Sequence, residues 1–153
     1  MKPERIRLDG IPLVHAFERE VLIRFAHCDP AGMVFYPQYL VILNGLVEDW
    51  VTEALGIGYG ELIGSRRIGL PTVGLQCEFL GPSLLGETCR FGLSVEHLGG
   101  SSIQLALGVR RGDELRLRMR QSLVVTSLET HRPIPIPADF RAAAESFLLP
   151  DRD

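Results

Sequence analysis

The sequence feature that most restricts the fold is a helix that is apolar around most of its circumference. It is predicted from about Pro37 to Leu55, and Pro37 suits its first turn because the proline ring fixes φ and lacks an N–H. Apolar side chains recur at steps of three and four residues: Leu40, Leu43, Val47, Trp50, Val51 and Ala54, widened by Val41, Ile42 and Leu46. Such a helix is buried on several sides, so other parts of the chain must cover it.

Strand patterns supply the cover for this helix. Alternating apolar and polar segments predict strands at about 17–25, 72–80, 87–97, 102–111 and 114–127, with Arg111-Gly112-Asp113 as a hairpin turn. Strands grouped after one helix indicate the α+β class, here a curved antiparallel β-sheet wrapped around one long central helix. The other face of that sheet needs its own cover, most simply a second copy of the chain.

Length and composition favour one ordinary globular domain. The 153 residues fit a single domain spanning 1–153, with an irregular arm over 1–16, a core over about 17–130 and a short C-terminal helix over about 138–148. The formal charge of −3 gives no indication of nucleic acid or of an anionic membrane as partner. Three cysteines without disulfide or zinc spacing, no apolar signal core and no bilayer-length apolar run lead us to expect a cytoplasmic protein.

The loop ahead of the helix carries the candidate chemistry. Asp29 lies just upstream of the predicted helix N-terminus, where unpaired backbone N–H groups and the positive end of the helix dipole attract negative charge. A carboxylate beside such a site is the minimum equipment for attack on an acyl carbonyl. The alternative interpretation is that an aspartate before proline only caps a turn.

The segment Phe25–Tyr39, which reads FAHCDPAGMVFYPQY, resembles the signature of hotdog-fold thioesterases of the 4-hydroxybenzoyl-CoA thioesterase type. The likeness extends over about 18–140, and its Asp-Pro-Ala-Gly-x-Val-Phe-Tyr-Pro core is the most specific part. The resemblance implies a hotdog fold and hydrolysis of an aromatic or small acyl-CoA to the free acid and CoA. It also implies a homodimer as the minimal unit and often a homotetramer. It implies no metal and no cofactor, because the coenzyme A moiety is part of the substrate.

By position, the resemblance gives Asp29 the role of catalytic carboxylate. Both direct attack on the carbonyl and activation of a water molecule stay open. The resemblance also gives the backbone N–H of Tyr36 the task of polarising the thioester carbonyl, while the Tyr36 side chain is expected to pack. Two places depart from the family pattern. Asn44 stands where a helix carboxylate receives a ring hydroxyl, and residues 98–102 (LGGSS) replace a basic cluster for the CoA phosphates.

The other candidate residues each have a structural alternative. His27 is interpreted either as a positioning residue beside the carboxylate or as an ordinary histidine, and Gly32 as a turn glycine that lets substrate approach. Cys28 is not predicted to be a nucleophile, because no His–Cys–acid arrangement is evident. The remaining substrate-binding candidates are Thr72, Val73 and Gly74 opposite the helix, Ser101 near the expected pantetheine channel, and Arg116 and Arg118 as a seat for the CoA phosphates. The arginines could otherwise form the solvated face of the sheet.

A second hypothesis places the chain in a different functional class. It is a hotdog module that binds acyl-CoA without hydrolysing it. Asp29 favours the enzyme, since binding alone needs no carboxylate beside an incoming carbonyl. A hotdog dehydratase would carry a different His-containing motif, which the sequence lacks.

Overall fold

The predicted long helix forms the centre of the fold. In the computed structural model, which describes residues 8–150, helix α1 runs over Tyr36–Asp49 and continues as a π-helical turn over Trp50–Ala54. Gly56, with a φ of 72°, follows its last turn in the left-handed conformation that often ends helices. Its inward side chains are buried: Tyr39, Leu43, Leu46, Val47, Trp50 and Val51. The prediction of a helix from about 37 to 55 is confirmed.

The remaining elements form one five-stranded sheet, a short strand pair and two short helices. In chain order they are β1 (Phe17–Leu22), α2 (Tyr59–Gly64), β2 (Ile68–Gly69), β3 (Thr72–Phe79), β4 (Thr88–Leu98), β5 (Ser102–Arg111), β6 (Glu114–Val124), β7 (Thr126–Ser127) and α3 (Ala138–Glu145). The sheet order is β1-β4-β5-β6-β3 with every pair antiparallel, and β2 pairs with β7. None of the helices within 8–150 is long and apolar enough to cross a membrane.

The predicted alternation decides which face of the sheet meets the helix. Ile103, Leu105, Leu107 and Val109 of β5 are fully buried and belong to the same core cluster as the helix residues. Leu117 and Met119 continue that apolar face on β6. Because successive strand side chains point to opposite faces, Arg116, Arg118 and Arg120 lie on the outer face. Strand β3 ends the sheet on one side, so one of its backbone edges has no strand partner within residues 8–150.

The first strand is shorter than predicted. It ends at Leu22, and Phe25–His27 forms a 3₁₀ turn in which Phe25 is 70% exposed. The His27 N–H donates to the Arg24 carbonyl oxygen over 2.9 Å, so a local bond replaces the strand ladder there. The extension of the predicted strand to residue 25 is therefore wrong.

The outer face of the sheet is covered in part by the chain itself. Leu8 and Ile11 of the N-terminal arm pack on Ala106 together with Leu149 from the C-terminal segment. The expectation that a second copy covers this face is therefore wrong for this part of the sheet. The described part of the predicted arm, residues 8–16, has no regular secondary structure.

His15 anchors the arm to the sheet. Its ring sits over the paired glycines Gly92 and Gly108, and a methyl group at Gly92 would lie 2.7 Å from the imidazole. Nδ1 is 2.8 Å from the Ser94 hydroxyl oxygen, while Nε2 is buried without a partner among residues 8–150. Burial lowers the pKa of His15 to about 4, despite the opposing effect of the nearby Glu18 carboxylate. The ring therefore docks in its neutral form.

The lowered pKa of His15 predicts a specific loss of stability in acid. The neutral ring is favoured in the folded state, so its contribution is complete above pH 6.5 and declines as the pH falls from 6.5 toward 4. Over that window the free energy of unfolding should fall by about 3 kcal/mol more in the wild type than in His15→Asn. Urea denaturation at several pH values measures the difference. The Glu18–Arg110 ion pair faces His15 in both proteins, and equal acid sensitivity of the two would contradict the prediction.

Candidate active site

A closed loop brings Asp29 to the start of helix α1. Cys28 and Val34 form an isolated antiparallel bridge across it. Inside the bridge the Asp29 N–H donates to the Met33 carbonyl oxygen over 2.9 Å, and the Gly32 N–H donates to the Asp29 carbonyl oxygen over 3.0 Å. Gly32 has a φ of 79°, a left-handed conformation that glycine adopts without steric cost. The loop is thus closed by its own backbone.

The Asp29 carboxylate has one fixed oxygen and one free oxygen. Oδ1 accepts a hydrogen bond from the Ala31 N–H over 2.8 Å, which is an Asx turn. Oδ2 accepts no hydrogen bond from any residue between 8 and 150, and the side chain is half-buried. The turn-capping role and a chemical role are therefore compatible, because they use different oxygens.

The first turn of α1 leaves the Tyr36 backbone N–H unpaired within the described chain. Phe35 is the N-cap residue and its side chain makes no capping hydrogen bond. Pro37 has no N–H, and the Gln38 N–H donates to the Phe35 carbonyl oxygen over 2.8 Å. The Tyr36 N–H has no acceptor within the described chain. It lies at the positive end of the helix dipole, so an anionic oxygen can bind there.

His27 ties the Asp29 loop to the helix entry. Its ring Nδ1 accepts a hydrogen bond from the Arg24 N–H, and its carbonyl oxygen accepts one from the Phe35 N–H, both over 3.0 Å. The second bond places the loop directly beside the first turn of α1. The Cys28 thiol donates to the Arg24 carbonyl oxygen over 3.3 Å. These bonds hold His27 in place between the Asp29 loop and the helix entry.

Aromatic rings surround the helix start. The Tyr36 ring packs edge-on against Phe35, with centroids 5.5 Å apart, and against Phe79 at the end of β3, with centroids 6.1 Å apart. All three side chains are exposed on one side. The Tyr36 side chain therefore packs as expected, and the rim of the loop is apolar.

A cavity of about 210 Å³ opens along the helix beyond this rim. It brings together two of the residues that the sequence analysis selected, Asn44 and Thr72. It is also lined by Leu40, Leu75, Met119 and Gln121. The cavity lies between α1, the edge strand β3 and the adjacent strand β6, where an acyl group was expected.

Gln121 is a cavity residue that the sequence analysis missed. It is buried on the inner face of β6. Its Nε2 donates to the Thr72 hydroxyl oxygen over 2.8 Å. The signal was present in the sequence, since β6 alternates Leu117, Met119, Gln121 and Leu123, and the amide interrupts that apolar row.

Three other candidates lie outside this cavity. Val73 is the extra residue of a bulge between Thr72 and Gly74 and is 64% exposed. Gly74 lines a separate cavity of about 290 Å³ together with Gln76, Gln104, Arg120 and Ser122. Ser101 precedes Ser102, which pairs with Val124 at one end of β6. Phe79, near the helix start, pairs with Leu117, which lies seven residues or about 23 Å from Val124 along the strand. In one protomer Ser101 is therefore remote from the helix start.

The outer-face arginines are paired with carboxylates. Arg116 is only 5% exposed and donates to Glu87 over 3.1 Å and to the Pro82 carbonyl oxygen. Arg118 donates to Glu78 over 3.0 Å. The Arg116 guanidinium is thus already engaged within one protomer, and its role as a seat for the CoA phosphates stays a prediction. The outer face of β6 carries ion pairs.

The Cys77 thiol is not activated. Burial, with a smaller effect of Glu78, raises the pKa of Cys77 to about 11, so that thiol stays protonated near neutral pH. Cys28, Cys77 and Cys89 are all free, and Cys89 is buried. Within residues 8–150 no group of three or more His, Cys, Asp or Glu side chains is arranged to hold a metal ion.

Comparison with known proteins identifies a family. The family model described as the thioesterase-like superfamily matches residues 23–144, which is most of the chain. No curated protein sequence matches significantly.

Solved structures share the architecture. A gentisyl-coenzyme A thioesterase superposes with a TM-score of 0.74 at 27% identity, covering 83% of this chain and 98% of that one. A thioesterase superfamily protein from Jannaschia sp. gives a TM-score of 0.82 at 20% identity, covering 92% and 97% of the two chains. A 1,4-dihydroxy-2-naphthoyl-CoA thioesterase from Synechocystis gives 0.76 at 20% identity, covering 84% and 94%.

The positive φ of Gly32 predicts a backbone cost for any other residue. Nothing lies within 4 Å of a methyl group built at Gly32, so Gly32→Ala tests conformation alone. We expect it to lower the free energy of unfolding by about 1 kcal/mol. Gly45→Ala, in open space on α1, should instead stabilise by about 0.5–1 kcal/mol because alanine favours helix. Urea denaturation distinguishes the two, and effects of the same sign would refute the argument.

Proposed function

Because the chain belongs to the thioesterase-like superfamily, we propose that it hydrolyses an acyl-CoA with an aromatic or small acyl group, similar to 4-hydroxybenzoyl-CoA, to the free acid and CoA. The hotdog fold and the thioester hydrolase activity that the resemblance implied are confirmed by the family match and the solved structures. An aromatic acyl group is supported by the 27% identical relative, which is named for gentisyl-coenzyme A. No cofactor is proposed, since the CoA moiety belongs to the substrate.

The observation that carries the proposal is the unpaired Tyr36 N–H beside the Asp29 loop. The bond from the Phe35 N–H to the His27 carbonyl oxygen holds the loop against the helix start. A thioester oxygen placed at the Tyr36 N–H would accept that hydrogen bond and meet the positive end of the helix dipole. As the carbonyl is attacked, negative charge develops on that oxygen, and a donor aimed at it stabilises the transition state.

The free Oδ2 of Asp29 supports two routes for the attack. In the first, the carboxylate oxygen bonds to the thioester carbon, the C–S bond breaks, and water then hydrolyses the resulting mixed anhydride. In the second, Asp29 takes a proton from a water molecule that attacks the same carbon. In both routes the electron pair of the broken bond leaves on the CoA sulfur as a thiolate. That leaving group needs no strong general acid.

We also propose that two chains pair through the edge of β3. This eight-residue strand has an unpaired edge within the described chain, and its side chains Val73, Leu75 and Phe79 are exposed. Tyr36 and Val41 extend the apolar surface onto α1. Long apolar edges are otherwise avoided in proteins, because they add strands from other chains. A homodimer would use this edge, and a homotetramer would join two such dimers. We place this assembly in the cytoplasm, which the three free cysteines support.

Replacing the carboxylate of Asp29 should abolish most of the activity. Asp29→Asn keeps an oxygen for the Ala31 N–H but removes the nucleophile or base, so kcat should fall at least about a hundredfold. The measurement is thiol release from a panel of acyl-CoA esters, followed with a chromogenic thiol reagent. Asp113→Asn, in the exposed β5–β6 turn, is the matched control and should keep the wild-type rate. A folded Asp29→Asn protein with a near-native rate would refute the assignment.

A charge placed on the β3 edge should separate the protomers. Lysine at position 73 would be buried without a partner in a strand-paired dimer, so Val73→Lys should weaken dimerisation at least about tenfold. Analytical ultracentrifugation over a concentration series measures this. Val14→Lys replaces a similarly exposed valine on the N-terminal arm and should leave the assembly unchanged. A monomeric wild type, or equal assembly of Val73→Lys and wild type, would overturn the proposed interface.

A further inference from the structure

Gln121 is a polar residue at an apolar position. Leu117, Met119 and Leu123 occupy the alternate inward positions of β6 around it, and all three are buried in the core cluster. Gln121 is itself only 5% exposed and pairs directly with Leu75 of the edge strand. An amide in such a place weakens the core unless its hydrogen bonds are satisfied.

The hydrogen bonds of this amide are incomplete. Nε2 donates to the Thr72 hydroxyl oxygen over 2.8 Å, whereas Oε1 is buried and has no partner among residues 8–150. Exchanging the oxygen and nitrogen of the amide would not remove the deficit. The Thr72 hydroxyl would then donate to the oxygen, and the N–H groups would be left unpaired instead. In either orientation Gln121 holds a hydrogen-bonding capacity that no residue between 8 and 150 uses.

The lining of the cavity around Gln121 suits an apolar group that carries a polar substituent. Gln121 and Thr72 line the 210 Å³ cavity together with the apolar Leu40, Leu75 and Met119. Asn44 provides a second amide at an exposed position of the helix. Asn44, Thr72 and Gln121 therefore supply hydrogen-bonding groups to a lining whose other three residues are apolar, and a few polar groups in such a pocket orient its ligand.

The distance from the Asn44 and Gln121 amides to the Tyr36 N–H can be estimated along the helix and along the strand. Asn44 follows Tyr36 by eight residues, about 12 Å along the helix axis, and its side chain leans back toward the N-terminus. On the strand side, Leu75, which pairs with Gln121, precedes Phe79 by four residues, about 13 Å. Phe79 contacts the Tyr36 ring. The acyl group would form one hydrogen bond with the Tyr36 N–H and one with the Gln121 amide. After both bonds are subtracted, the remaining distance matches the length of an acyl group built on one aromatic ring.

We propose that Gln121, held by Thr72, is a specificity-determining residue that hydrogen-bonds a hydroxyl group on the aromatic ring of the substrate acyl group. This inference rests on the proposed acyl-CoA hydrolase function. A ligand hydroxyl both donates and accepts, so it satisfies the amide in either orientation. An ester without the hydroxyl leaves the buried amide unpaired, and sites of this kind discriminate strongly against such analogues.

The test compares kcat/KM for benzoyl-CoA and its monohydroxylated derivatives. The wild type should prefer at least one hydroxylated ester by about tenfold or more. Gln121→Leu should reduce that preference at least about tenfold while keeping or raising kcat/KM for benzoyl-CoA, because leucine completes the apolar row. Its thermal stability should equal or exceed that of the wild type, which a purely structural role for the amide would not allow.

Two further variants complete the design. Thr72→Val, on the exposed edge strand, removes the hydroxyl that holds the Gln121 amide and should also weaken the preference for hydroxylated esters. If Gln121→Leu does not fold, Thr72→Val alone tests the proposal. Gln104→Leu, which lines the separate outer cavity, is the matched control and should retain the preference.

The outcomes separate this inference from the proposed function. A wild type that hydrolyses benzoyl-CoA as well as its hydroxylated derivatives, or that prefers aliphatic esters, overturns the role of Gln121 but leaves the hydrolase intact. If Gln121→Leu keeps the wild-type preference for a hydroxylated ester, the role of Gln121 is likewise overturned and the hydrolase function is not. Failure to hydrolyse any acyl-CoA overturns the proposed function, and the inference with it.

Discussion

The burial of helix α1 against the sheet is the constraint on which the other features depend. Leu43, Trp50 and Val51 are fully removed from solvent, and burying each such side chain contributes about 1.5–3 kcal/mol. This burial holds the helix against the inner face of the sheet. The packing brings the Tyr36 ring to Phe79 at the end of β3, and it places Asn44 in the lining of the cavity that lies between α1, β3 and β6. The geometry of the candidate site is thus a consequence of core packing.

The sequence predicted well whatever depends on periodicity or on a local motif. The helix, the long strands, the hairpin at Gly112 and the turn at Gly32 follow from patterns within a few neighbouring residues. It predicted poorly what depends on contacts between distant segments. The docking of His15 over Gly92 and Gly108 joins residues almost eighty or more positions apart, and no local pattern encodes it. Gln121 was detectable as a break in the alternation, but its partner Thr72 lies 49 residues away.

The arginines of β6 show why a charge pattern does not define a ligand site. Arg116, Arg118 and Arg120 recur at every second residue, which by itself fits a phosphate seat or a solvated face. In the fold, each has a carboxylate within hydrogen-bond distance: Glu87, Glu78 and Glu96 respectively. A guanidinium as buried as that of Arg116 is strongly destabilising unless it is paired. A buried arginine therefore needs a carboxylate partner within the fold, whether or not a ligand binds.

The proposed dimer and the proposed chemistry depend on the same surface. In one protomer the Asp29 carboxylate is half-buried, and the Phe35, Tyr36 and Phe79 side chains beside it are exposed. Water reaches these exposed side chains, and a hydrogen-bond donor in contact with water contributes little to stabilising a transition state. A partner seated on the β3 edge would cover the side chains of Leu75 and Phe79, and with them the cavity mouth. Hydrogen bonds and dipoles act more strongly once water is excluded. Assembly would then be a condition for catalysis, because the same contact that pairs the strands also lowers the local dielectric around the carbonyl site.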